Sequence, residues 1–120
     1  MPKKYSDSVR IYYPKFNREE LIRLLKEKVS GLSKELPLKT VALFGSYAKN
    51  RHTAASDVDL FVVIKNQSKD KAYHKIYNSL GIDNLELHLY TSEEYEKLRG
   101  DKHPFIREIE ETGTIIFKET

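Results

Sequence analysis

The 120-residue sequence has no cysteine, no tryptophan, one methionine, five glycines and four prolines. Without cysteine there is no disulfide framework, no thiol nucleophile and no cysteine-ligated zinc site. No apolar run approaches the roughly 18 residues that span a bilayer, and the opening MPKKYSDSVR lacks the apolar stretch of a secretory signal, so a cytoplasmic protein with no membrane contact is the expectation. The few glycines and prolines are scattered and form no linker, and no repeat or low-complexity tract divides the chain. A chain of about 100–150 residues normally closes around one core. The sequence therefore reads as one domain over 17–120 behind an N-terminal arm, 1–16, rather than a multidomain enzyme.

Charge is plentiful and unevenly spread. The formal net charge is +3, but residues 1–39 sum to about +5, 40–82 to about +3 and 83–120 to about −5. The basic segments suit an anionic partner such as a nucleoside triphosphate or nucleic acid. Alternatively, the basic and acidic segments neutralise each other within the fold or across a protein contact. Tyr5, Tyr12 and Tyr13 lie among Lys3, Lys4, Arg10 and Lys15, a mixture able to stack on single-stranded nucleic acid, although an arm packed on the domain or on a second subunit is the preferred reading.

Apolar spacing outlines alternating helices and strands. Asn17 with Glu20 forms a capping box, Phe16 with Leu21 a hydrophobic staple, and Leu21, Leu24, Leu25, Val29 and Leu32 line one helical face to about Lys34. Thr40–Phe44 reads as a strand ending at Gly45-Ser46, where a turn leads into a short helix. The run from Asp57 to Ile64 is apolar on both faces after its two acids and predicts a central strand. Ser68 opens a helix through Ala72, Ile76 and Leu80 to Gly81. Leu85, Leu87 and Leu89 then alternate with Glu86, His88 and Tyr90 as a strand with a polar face. A capping box at Thr91 and Glu94, and Pro104 ahead of Ile106 and Ile109, predict two more helices, with Thr114–Phe117 as an edge strand. The expected fold is α/β or α+β, a small mixed sheet flanked by helices.

The chemistry concentrates in Gly45-Ser46, ten intervening residues, and Asp57-Val58-Asp59. Glycine suits an abrupt exit from a strand and the close approach of a ligand. Ser46 supplies a hydroxyl and, at the start of a helix, unpaired backbone N–H groups for phosphate. Asp57 and Asp59, two residues apart on a strand, share a face with Cα atoms about 6.6 Å apart. Paired carboxylates of this kind suit Mg²⁺, which takes oxygen ligands and completes its octahedron with phosphate and water.

This pattern resembles the minimal nucleotidyltransferases of the DNA polymerase β superfamily, in which Gly-Ser is followed by Asp-x-Asp and by a third carboxylate on a later strand. The likeness extends over about residues 17–118, including LHLYTSEEYEKL and HPFIREIEETG. It implies a polymerase β-like core and transfer of a nucleoside monophosphate with two Mg²⁺ ions, held by Asp57, Asp59 and a third acid. It further implies that Gly45, Ser46 and Lys49 hold the outgoing phosphates. The third acid by position is Glu86, where the family commonly has aspartate. Asp83 is a second candidate but reads more simply as a turn residue. Arg51 and His52 belong to the same basic loop as Lys49. His88 is read as solvated or paired.

The resemblance also implies a partner. Small members of the family pair with a helical HEPN-domain protein in toxin–antitoxin systems, the nucleotidyltransferase being the antitoxin and carrying AMP from ATP to a toxin tyrosine. A catalytically inactive nucleotide-binding module that neutralises its partner by contact is the alternative. A metal-dependent phosphohydrolase built on Asp57, Asp59, Glu86 and His88 is a third, which leaves Gly45-Ser46 without a role. A second copy of the chain is a further possible partner.

Overall fold

The computed structural model describes residues 17–49, 56–65 and 68–119. The N-terminal arm, with Phe16 of the expected staple and the tyrosine cluster, lies outside them, as do Arg51 and His52.

Four helices and four strands alternate as α1 (Arg18–Leu32), β1 (Leu38–Phe44), β2 (Val58–Ile64), α2 (Lys69–Leu80), β3 (Leu85–Thr91), α3 (Ser92–Gly100), α4 (Pro104–Thr112) and β4 (Thr114–Lys118). The sheet order is β3-β2-β1-β4. β1 runs antiparallel to both β2 and β4, while β2 and β3 are parallel and joined through α2. The result is the mixed α+β sheet expected from the sequence, with β4 on an edge.

The local signals act where they were read. Asn17 accepts from the Glu20 N–H at 2.8 Å and the Glu20 carboxylate accepts from the Asn17 N–H at 3.1 Å. Thr91 and Glu94 repeat the device at α3. Gly81 ends α2 in the left-handed conformation, φ 61°, as no side chain with a Cβ does cheaply. Ser68 occupies the N-cap of α2 but makes no side-chain capping bond. Asn17→Ala should therefore destabilise the protein by about 1 kcal/mol in urea unfolding with no change in the m-value, whereas Ser68→Ala should cost much less.

The sheet separates two apolar layers. On one side Leu21, Leu25 and Val29 of α1 and Ala72, Ile76 and Leu80 of α2 cover Val41, Leu43, Leu60, Val62 and Leu87. On the other, Ile106 and Ile109 of α4 cover Ala42, Phe44, Phe61 and Val63, with Tyr90, Tyr95, Leu98 and Phe105 packed around them. The alternation in β3 had suggested a polar outer face. Instead Tyr90 lies 5.5 Å from Phe61 and His88 5.6 Å from Phe105, ring centre to ring centre. Tyrosine and histidine are polar at their tips and apolar across their rings, so period-2 patterning scores them as solvent-facing where packing does not.

Among the described residues, part of the uneven charge is paired across the fold. Lys39 pairs with Glu96, Lys49 with Glu108, Lys65 with Glu119 and Lys69 with Glu94, each joining the basic part of the chain to its acidic last third. Exposed pairs of this kind contribute about 0–1 kcal/mol each, so they orient elements more than they stabilise them.

Candidate active site

Residues of β2 alternate between the two layers, and Asp59, Phe61 and Val63 face the α3–α4 side. The parallel register sets Asp59 beside Glu86 and Phe61 beside His88, while the antiparallel register sets Asp59 beside Phe44. Phe44 is the last residue of β1 and Gly45 follows it, so the turn out of β1 meets the acid directly. Gly45 has φ 77°, and a Cβ placed on it would lie 2.3 Å from Asp59 Oδ2. Glycine is therefore required twice, for its backbone angle and for the carboxylate packed against it.

Asp59, Glu86 and His88 each offer a ligand atom within 4.8 Å of the other two. His88 Nε2 stands 3.7 Å from Glu86 Oε1 and 4.0 Å from Asp59 Oδ1. That nitrogen is buried and has no hydrogen-bond partner among the described residues. The ring itself is fixed edge-on to Phe44, with centroids 5.1 Å apart, and tilted against Phe105. His88, expected to be solvated or paired, has a side chain 32% exposed that stands beside two acids, its ring set between Phe44 and Phe105 and its Nε2 without a hydrogen bond among the described residues.

Burial pushes the Asp59 carboxyl up to about 7; a hydrogen bond shared with Glu86 and the negative charges of Glu86, Asp57 and Glu108 push in the same direction. Two carboxyls side by side with no cation hold a proton between them. A bound divalent cation would displace that proton and relieve the repulsion.

Asp57 precedes the first residue of β2 and is exposed. It is close enough for its charge to act on Asp59 but is not one of the three clustered residues. The strand begins one residue later than its sequence suggests, with Asp57 immediately before it and Asp59 within it. Asp83 lies in the turn before β3, outside the cluster, as its alternative reading had it.

Residues 45–49 form the expected turn, closed by one helix-like bond, Lys49 N–H to Gly45 C=O at 3.2 Å, and the rest of the short helix read from the sequence falls outside the described residues. Ser46 is half-buried in this turn, and Tyr47 is 2% exposed. Arg18 pins the turn by donating from Nε to the Tyr47 carbonyl at 3.1 Å and from Nη2 to Thr114 Oγ1 at 2.8 Å. Lys49 Nζ reaches Glu108 Oε2 at 3.2 Å. Glu108 therefore touches both halves of the site, pairing with the lysine and adding to the charge felt by Asp59. Neither Arg18 nor Glu108 stood out in the sequence, because each acts through a contact that only the fold creates.

The donor set fits a divalent cation: two carboxylates and an imidazole nitrogen that converge, the nitrogen without a hydrogen bond among the described residues, are groups that ligate metals. Residues 18–116 match the nucleotidyltransferase domain family, and the chain belongs to it. Two Methanocaldococcus jannaschii proteins, each named as a candidate protein adenylyltransferase, are similar to it. MJ0141 is 32% identical over 94 residues, covering 78% of this chain and 93% of that protein. MJ0126 is 35% identical over 43 residues, covering 36% of this chain and 44% of that protein. The crystal structure of a candidate nucleotidyltransferase from Sulfolobus solfataricus has the same fold, with a TM-score of 0.58 at 19% identity over 86% of this chain and 85% of that one. The chain is a nucleotidyltransferase, as the Gly-Ser and Asp-x-Asp spacing implied.

Proposed function

We propose that this chain transfers AMP from ATP to a hydroxyl group of a partner protein, with two divalent cations, magnesium being the ion the motif resemblance implies. We further propose that the partner is a small helical HEPN-type protein for which the chain acts as antitoxin. The observation that carries the catalytic part is the pairing of Glu86 with Asp59 across the parallel strands: a binding-only module has no use for a third carboxylate there. The protein acceptor is supported by the names of both M. jannaschii relatives.

In this reading the acceptor oxygen forms a bond to the α-phosphorus, the bond from that phosphorus to the α,β-bridging oxygen breaks, and pyrophosphate leaves. The hydroxyl proton passes to Glu86, whose side chain is exposed. Asp57, Asp59 and Glu86 hold the cations, which when bound offset the triphosphate charge and acidify the acceptor hydroxyl. Gly45 leaves room for the phosphates to approach the turn, and Ser46 offers its hydroxyl to them. Lys49 exchanges Glu108 for the β- and γ-phosphates. Its present pair is exposed and worth no more than about 1 kcal/mol, so the exchange costs little.

The test uses ATP labelled at the α- or the γ-phosphate, with the partner co-purified from the native host. Transfer of label to protein from α-labelled but not γ-labelled ATP, lost in Asp57→Ala and Asp59→Ala, is the expected result. Equal labelling by wild type and both variants would sink the catalytic assignment. Nucleotide binding without transfer would favour the contact-only module, and free phosphate without labelled protein the phosphohydrolase.

A further inference from the structure

We propose that His88 is a metal ligand, its Nε2 joining Asp59 and Glu86 on one cation, and that this nitrogen makes the site prefer an imidazole-accepting transition ion of the manganese or cobalt kind to magnesium. The proposal deepens the nucleotidyltransferase reading by naming the ion, and its use in transfer rests on that reading; the binding itself does not.

Three observations converge on this nitrogen. First, His88 Nε2 is buried without a hydrogen-bond partner among the described residues, an unfavourable state for a polar atom that nothing else satisfies. Second, it is aimed at both acids but sits too far for a direct hydrogen bond to either, at 3.7 Å from Glu86 and 4.0 Å from Asp59. Ligand atoms about 2.1 Å from one octahedral ion are about 3.0 Å apart at right angles, so movements of about 1 Å bring these three onto a common centre. Third, the ring cannot easily turn away, because Phe44 and Phe105 hold it from two sides. A histidine merely filling space there would be exchanged for an apolar residue without loss, since its own polar tip is unsatisfied.

The choice of ion follows from ligand chemistry. Magnesium takes oxygen almost exclusively and gains little from an imidazole. Manganese and cobalt accept both nitrogen and carboxylate oxygen, and their affinity for such mixed sites exceeds that of magnesium. Two carboxylates and one imidazole also leave coordination positions open, as a site that must receive phosphate oxygens requires.

The experiment uses the full chain without nucleotide. Mn²⁺, Co²⁺ and Mg²⁺ are titrated by calorimetry, and pulsed electron paramagnetic resonance of the Mn²⁺ form reads coupling to an imidazole nitrogen. Wild type should show that coupling and bind Mn²⁺ and Co²⁺ at least about 10-fold more tightly than Mg²⁺. His88→Phe, which keeps the ring packing, and His88→Gln, which keeps a polar tip, should both lose the coupling. Both should also lose about 10-fold or more of the Mn²⁺ affinity and change the Mg²⁺ affinity little. Asp59→Asn should lose all three ions. Mn²⁺ bound in an Asp59-dependent way without nitrogen coupling overturns the proposal, and so does the absence of any ion binding in the nucleotide-free chain. Either result leaves the transfer reaction to be judged by its own labelling assay, and failure of that assay leaves the spectroscopic signature of His88 intact.

Discussion

Asp59→Asn is expected to abolish nucleotidyl transfer and, at the same time, to make the metal-free protein more heat-stable at pH 8. The two effects share one cause. Burial of Asp59, together with its hydrogen bond to Glu86 and the charges of Glu86, Asp57 and Glu108, raises its carboxyl to about 7, against about 3.9 for an aspartate in an unfolded chain. The folded protein therefore holds a proton between those two values that the unfolded chain has released. Stability from this group is fully present below about pH 4 and is lost as the pH rises through about 7, where ionisation must occur in the folded site. Asparagine has the same shape, never ionises and donates to Glu86, so the variant escapes this loss. A gain of order 2 kcal/mol at pH 8, or roughly 10 °C in Tm for a domain of this size, is the expected size of the effect. Transfer should fall by about 10³-fold or more, equivalent to at least about 4 kcal/mol of transition-state stabilisation. Thermal unfolding of both proteins from pH 4 to 8 in a chelating buffer measures the first effect. Parallel curves for wild type and variant would show that Asp59 carries no such strain.

Saturating divalent cation should erase most of the difference by stabilising the wild type alone, since a ligand that binds only the folded state adds stability as RT ln(1 + [L]/Kd). A destabilised acid cluster is thus part of how the site is poised for a cation.

Much of the fold was legible because its signals are local. Capping boxes at Asn17 and Thr91, the left-handed stop at Gly81 and the doubly apolar run of β2 each depend on residues a few positions apart, and each appears where the spacing put it. What could not be read was partnership. Glu108 is one of several acids on a helix until α4 is laid across the sheet, and only then does it meet Lys49 and Asp59. Arg18 looks like a solvated first-turn residue, yet it bridges the Gly45–Lys49 turn to β4. His88 was noticed for its place beside Glu86, but the rings that desolvate it come from β1 and α4, more than fifteen residues away on either side.

Gly45→Ala should cost about 10²-fold in transfer, while the same substitution at Gly81 should leave transfer unchanged. Both glycines have positive φ, 77° and 61°, so each alanine meets a comparable backbone penalty of about 1–2 kcal/mol. They differ in what surrounds them. A Cβ at Gly81 meets nothing within 4 Å, whereas at Gly45 it lies 2.3 Å from Asp59 Oδ2, 3.1 Å from Cγ and 3.3 Å from Cβ. Rotation of the short aspartate relieves the first contact but not the last, so the turn and β2 must separate as well. A displacement of about 1 Å in a catalytic group is enough to lose two orders of magnitude in rate. Removing the side chain from Asp59 should also remove the clash. In an unfolding cycle of Gly45→Ala, Asp59→Gly and the double variant, the alanine should therefore cost less stability in the Asp59→Gly background than in the wild type. Equal stability costs in both backgrounds, or equal activity of Gly45→Ala and Gly81→Ala, would mean that Gly45 serves the turn alone and that its contact with Asp59 does not shape the site.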